Sequence, residues 1–132
     1  MRMLGIDYGT KKIGLAVSDH EGRVAFPFGV VKNDENILAK ITAILAEEDI
    51  EGVVFGKSLD YSGKPNPVMA KIEAFKERLE IASALPIHFE SEFLSSKQAR
   101  NIHDSGELND ASAAAIILQS YLDKLKNRKI EK

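Results

Sequence analysis

Three carboxylates, Asp7, Glu92 and Asp110, stand where they can do chemistry together. Asp7 interrupts the apolar run Met3-Leu4-Gly5-Ile6 and precedes Tyr8-Gly9-Thr10. An acid straight after a buried strand has little packing use and is costly to hold unless it is paired or metallated. Three acids without matching buried bases repel one another, and a divalent cation holds such a group together. Two such ions about 3.5–4 Å apart, with Asp7 as the bridging ligand, would hold a phosphodiester, activate a water and stabilise the leaving oxygen. That chemistry is metal-dependent hydrolysis.

Each acid also has a plainer reading. Asp110, beside Asn109, suits the first turn of a helix, where its charge complements the helix dipole. Glu92 taken singly is a surface acid, whereas Asp7 has no comparable structural role. The other ligand types add nothing: there is no cysteine, and His20, His88 and His103 are too widely spaced to form a cluster. Thiolate sites, disulfides and cysteine nucleophiles are excluded, and oxygen ligands favour magnesium, calcium or manganese over zinc. His88 reads as a satisfied or exposed strand residue, and His103 as one on a helix surface.

The elements that must position these acids follow from hydrophobic period. Met3 to Asp7 and Lys12 to Ser18 read as two strands about a tight turn. Val24 to Val31 is a third, with Pro27 marking an edge or a bulge because proline cannot donate to a ladder. Strands joined by short turns are antiparallel by default. From Asp34 the period changes: Ile37, Ile41, Ile44 and Leu45 form one face of a helix running to about Glu48, with Asn33 as its cap. Gly52-Val53-Val54-Phe55-Gly56 is a glycine-bounded apolar run, the pattern of a strand buried on both faces. After a polar loop from Ser58 to Pro67, Val68, Ile72, Phe75 and Leu79 mark a second helix, and Ile87-His88-Phe89-Glu90 a fifth strand. Ser95-Ser96-Lys97-Gln98 has the spacing of a capping box that opens a third helix ending near Gly106. Asn109-Asp110 then opens an alanine-rich helix that buries Ala114, Ala115, Leu118, Leu122 and Leu125. The predicted fold is α/β, a mixed five-stranded sheet with three antiparallel strands then two parallel ones, flanked by helices. In such a sheet Asp7, Glu92 and Asp110 can converge.

At 132 residues and 44% hydrophobic content the chain reads as a single domain with a real core. No segment approaches the length of a membrane span and the N-terminus enters a strand directly, so a cytoplasmic protein without membrane contact is expected. Eighteen basic against 20 acidic residues give a net charge of −2, so a polyanion needs a local basic surface. Lys124, Lys126, Arg128, Lys129 and Lys132 make a basic tail from about residue 124, of the kind that usually serves solubility.

Ile6-Asp7-Tyr8-Gly9-Thr10-Lys11-Lys12-Ile13-Gly14-Leu15-Ala16-Val17-Ser18-Asp19, together with Asp110-Ala111-Ser112-Ala113-Ala114-Ala115-Ile116-Ile117-Leu118-Gln119-Ser120-Tyr121-Leu122, resembles the YqgF/RuvX family. Its members are described as Holliday junction resolvases and as pre-16S rRNA processing nucleases, and the match runs nearly end to end. The resemblance implies a ribonuclease H-like fold, with Asp7, Glu92 and Asp110 as catalytic and metal-binding acids, and the cofactor expected is Mg²⁺ or Mn²⁺, as two ions. It also implies a nuclease acting on structured RNA or branched DNA, as a monomer or dimer, with ribosomal RNA maturation as the favoured role. Thr10, Lys11, Lys12, Lys57, Lys64 and Lys97 are then the candidate nucleic-acid contacts.

The chain departs from the family pattern in places. Ser91-Glu92-Phe93-Leu94-Ser95-Ser96 stands where an Asp-Glu-Arg-Leu-Thr-Thr run is common, so the glutamate stays while an acid and a guanidinium are gone. Gly56-Lys57-Ser58-Leu59 replaces Gly-Leu-Pro-Leu, and the basic loop before the last aspartate is shortened to Gly106-Glu107-Leu108-Asn109. Losing cations removes phosphate contacts, which motivates a second reading as a binding protein with weakened catalysis. A third reading rests on the resemblance of Gly5-Ile6-Asp7-Tyr8-Gly9-Thr10 to the phosphate-binding hairpin of actin-like and sugar-kinase proteins. Those close two lobes on a nucleotide, and a chain of this length provides only one.

Overall fold

Met3–Asp7 forms β1, and the rest of the sheet is built outward from it. The computed structural model describes residues 1–57, 67–91 and 106–131, with side chains described over 1–57, 67–90 and 111–127. On one side β1 pairs antiparallel with β2 (Lys12–Ser18), which places Leu4 opposite Val17 and Asp7 opposite Gly14. On the other it runs parallel to β4 (Gly52–Lys57), with Ile6 level with Phe55. The third strand β3 (Ala25–Lys32) is antiparallel to β2, and β5 (Ile87–Ser91) is parallel to β4, so the order is β3-β2-β1-β4-β5. This is the expected sheet of three antiparallel strands and two parallel ones. Pro27 marks a bulge on an edge strand, as its missing donor implied: Leu15 pairs with Gly29 and Ala16 with Pro27, which leaves Phe28 as the extra residue.

Alternation along the strands makes two cores. Leu4, Ile6, Ile13, Leu15, Val53 and Phe55 pack on one face against α1 (Ile37–Glu47) and α2 (Val68–Ser83). These helices bury Ile37, Ile41 and Leu45, and Met69, Ile72, Phe75 and Leu79. On the other face Met3, Ala16 and Val54 pack against Ala114, Ile117, Leu118 and Leu122 of α3 (Gly106–Glu131). Every residue of β4 from Gly52 to Gly56 is buried, as a strand covered on both faces requires.

Three expectations change. Asn33 does not cap α1, whose N-cap position is Asn36. Instead Asp34 turns the chain, its Oδ1 accepting from the Asn36 backbone N–H at 2.9 Å while Lys40 Nζ donates to both of its carboxylate oxygens. The last helix starts at Gly106 and not at Asn109-Asp110. Glycine at a helix start escapes the penalty it carries in a helix interior, and Asp110 becomes the fifth helical residue, beyond the first turn where the dipole acts most strongly. The basic end from 124 continues this same helix to Glu131. The expected helix from Ser95 to near Gly106 lies outside the described residues.

The hydrogen bond from Lys40, then the Asn36 N–H, lower the Asp34 carboxyl below its usual value of 3.8. A depressed folded value gives stabilisation that is whole above the usual value and lost as pH falls through the folded one. Asp34→Asn should therefore flatten the dependence of thermal stability on pH below about 4; an unchanged acid limb would show that this turn does not couple to unfolding.

Candidate active site

Asp7 is half-buried at the last position of β1, and its flanks fix which way it faces. Ile6 is buried in the core beneath α1 and α2, and the Tyr8 ring packs on Phe75 of α2 with centroids 5.8 Å apart. Two-residue alternation from Met3 through Gly5 places Asp7 on the opposite face, under α3.

Gly5 sets how closely α3 approaches. A Cβ at Gly5 would lie 2.8 Å from the Leu118 Cβ and 3.0 Å from the Ala114 carbonyl oxygen, so only glycine lets the helix lie this near the strand. Met3 shares its cluster with Leu122, while Gly5 meets Leu118 and Ala114, so α3 runs opposite to β1. Two residues on along β1 cover about 7 Å, and one turn back from Ala114 covers about 5 Å. By these rises the backbone positions of Asp7 and Asp110 come to about the same level of strand and helix, and Ala111, next to Asp110 in sequence, is buried. The side chain of Asp110 lies outside the described residues, as does Glu92, which follows the last residue of β5.

The turn after Asp7 is pinned. A Cβ at Gly9 would sit 2.4 Å from the Lys12 carbonyl oxygen, so no other residue fits without moving the backbone. Asn33 closes the turn from outside: its Nδ2 donates to the Gly9 carbonyl at 2.8 Å and its backbone N–H to the Lys11 carbonyl at 2.9 Å. Nothing in the local pattern pointed to this contact, which needs β3 folded back beside β2. Asn33→Ala should cost about 1 kcal/mol of stability and slow turnover by loosening the backbone behind Asp7. Thermal unfolding and single-turnover cleavage measure both effects, and wild-type values in the two would remove Asn33 from the site.

Thr10, Lys11 and Lys12 are exposed in and after this turn, and Lys57 is exposed at the end of β4, at the same end of the sheet as Asp7. Lys64 and Lys97 lie outside the described residues. Among the described residues no group of three or more His, Cys, Asp or Glu side chains is placed to hold a metal ion. A cleft of about 740 Å³ lies at the opposite end of β1, lined by Met1, Met3, Arg23, Leu122 and Lys126 among others. It is remote from Asp7.

One buried acid escaped notice in the sequence. Glu90 of β5 is 5% exposed, accepting from Ser120 Oγ at 2.7 Å and from Lys124 Nζ at 2.6 Å. With His88 stacked on Tyr121 at 5.1 Å, it ties the far half of α3 to the sheet. The trace in sequence is a polar pair, Ser120 and Lys124, spaced four apart so that they share one face of the helix.

A family model described as RuvX, Holliday junction resolvase, matches residues 1–124. The chain is 36% identical to a Nitratidesulfovibrio vulgaris protein named "Putative pre-16S rRNA nuclease", with 98% of each covered. It is 33% identical to a Rickettsia canadensis protein of the same name, over 95% of this chain and 88% of that one. Among solved structures it is similar to Thermus thermophilus RuvC in complex with a Holliday junction substrate, with a TM-score of 0.64, 19% identity and 96% of both chains covered. It is also similar to fowlpox virus resolvase in complex with Holliday junction DNA, with a TM-score of 0.64 at 15% identity over 95% and 99% of the two chains. At these identities the structural likeness speaks for the fold, which is ribonuclease H-like as the resemblance implied. With a model match over nearly the whole chain and relatives above 30% identity, the chain belongs to the RuvX family.

Proposed function

We propose that this protein is a divalent-metal-dependent nuclease that hydrolyses phosphodiester bonds, with maturation of the 5′ end of pre-16S ribosomal RNA in the cytoplasm as its role. The observation that carries the reading is that Asp7 ends the central strand β1; strand alternation puts it on the face that α3 covers, and strand and helix rise support a level shared with Asp110. Family membership and the names of the relatives support the activity and the RNA substrate.

Asp7, Asp110 and Glu92 would hold Mg²⁺ or Mn²⁺. The donor chemistry fits, since all three offer carboxylate oxygens, which suit hard cations. When bound, the ions supply a polarised phosphoryl group and an activated water. The protein's own part is positional. The Asn33 clamp and the Gly9 turn hold Asp7 still, and the close seat of α3 on Gly5 sets the level of Asp110. Lys11, Lys12 and Lys57, with Thr10, offer cations and a hydroxyl to the phosphates on either side of the cut.

Branched DNA is the second reading, favoured by the description of the family model. Precursor 16S RNA and a four-way DNA junction, each incubated with Mg²⁺ or Mn²⁺ and with wild type or Asp7→Asn, separate the two. Cleavage of RNA alone supports the first and cleavage of the junction alone the second. Failure to cut either above the Asp7→Asn background would leave a binding protein and overturn both.

A further inference from the structure

We propose that β3, the outer edge of the sheet, is a stacking platform for an unpaired nucleic-acid strand, so that the substrate carries a single-stranded extension beside the cut. The inference deepens the nuclease reading above and rests on it. Val24, Phe26 and Phe28 are 46%, 51% and 42% exposed, three of the five exposed large apolar side chains among the described residues and the three that lie together in the chain. Phe26 lies opposite Val17, on the sheet face that α1 and α2 cover further in, while its neighbour Ala25 is packed under α3.

An exposed apolar edge ordinarily invites another strand to pair with it. Here Pro27 has no N–H to offer and the bulge at Phe28 breaks the ladder, so this edge is a poor template for strand addition. What it presents is two half-exposed aromatic side chains. The surrounding charge is of one sign over a long stretch: no Asp or Glu occurs from Tyr8 to Ser18 or from Val24 to Asn33. Lys11 and Lys12 are exposed at one end, and Lys32 is the register partner of Lys12. Arg23, ion-paired to Glu21, stands at the other end. Aromatic faces between cations are what an unpaired strand requires, with bases on the rings and phosphates on the lysines.

The platform lies along the sheet edge beside the site, with Phe26 on the face opposite to Asp7, so a bound strand would pass around that edge. Asp7 pairs with Gly14, and Gly14 with Val30, so β3 passes about 10 Å to the side of Asp7. Phe28 and Phe26 lie about 7 and 13 Å further along. An extended strand of a few nucleotides spans that path.

Fluorescence anisotropy in EDTA separates binding from cleavage. The probes are a short single-stranded RNA, the same sequence as DNA, and a blunt duplex. Phe26→Ala combined with Phe28→Ala should weaken single-strand binding about tenfold or more, leave the blunt duplex unchanged and keep the thermal midpoint. Phe26→Tyr, which keeps a π-face, should bind like wild type, and Phe28→Ala alone gives a milder variant if the pair folds poorly. Unchanged single-strand affinity, or equal loss on the blunt duplex, overturns the platform. So does wild-type self-association that the double variant abolishes, which would make the patch a contact between copies. Loss of binding together with cleavage that survives Asp7→Asn would instead refute the nuclease reading and leave the platform standing.

Discussion

Asp7→Asn is expected to abolish cleavage while leaving the fold intact. The change keeps the shape of the side chain and removes its charge, so the proposed metal site would lose one of its carboxylate ligands. Lewis-acid stabilisation worth several kcal/mol is at stake, which places the loss in single-turnover rate at about 10³-fold or more. Stability should hold or rise slightly, because one of a group of mutually repelling acids has been neutralised. Single-turnover cleavage beside thermal unfolding measures the two effects separately. A rate within about tenfold of wild type would exclude Asp7 from the chemistry.

Gly5→Ala should be nearly as damaging by a different route. The added methyl meets the Leu118 Cβ and the Ala114 carbonyl, one fixed to the helix backbone and the other part of it, so neither can swing aside. Relief requires α3 to lift or slide, and overpacking of this kind costs about 1–3 kcal/mol. Asp110 rides on the same helix, and a misplacement of about 1 Å at a reacting centre costs about 100-fold in rate. The variant should therefore lose more activity than its lowered melting midpoint explains when assayed well below that midpoint. Activity that merely tracks the folded fraction would show that α3 does not set the geometry.

The sheet was readable from the chain because each strand carries its own pattern. Gly52 to Gly56 announced a doubly covered strand, Pro27 an irregular edge, and Ile37, Ile41 and Leu45 a helix face, all local consequences of period and backbone chemistry. What could not be read depends on partners distant in sequence. Asn33 looked like a helix cap because such residues usually are, and only the return of β3 beside β2 brings its amide to the Gly9 carbonyl. Glu90 fitted an alternating half-exposed strand until Ser120 and Lys124 closed over it. A glycine after a polar run has the pattern of a helix end, yet Gly106 opens the last helix, and which of the two it does depends on the chain before it. For the site, Asp7 stood out through its context, whereas the level shared with Asp110 follows from Gly5 and the alanines of α3 meeting face to face.

The division of the core between two faces carries a consequence for synthesis. A chain emerging from the ribosome has all the buried residues of the first core once Leu79 is out, since that cluster draws on nothing later than α2 among its fully buried members. The second face, with Met3, Ala16 and Val54, stays bare until residues 114 to 122 arrive. Asp7 belongs to β1 and Asp110 to α3, the first and last elements of the fold described above. No nascent fragment short of α3 holds both, so the proposed cutting centre would be assembled only once α3 is made. Chains truncated before α3 would be inert and would expose the apolar surface on which misfolded intermediates aggregate.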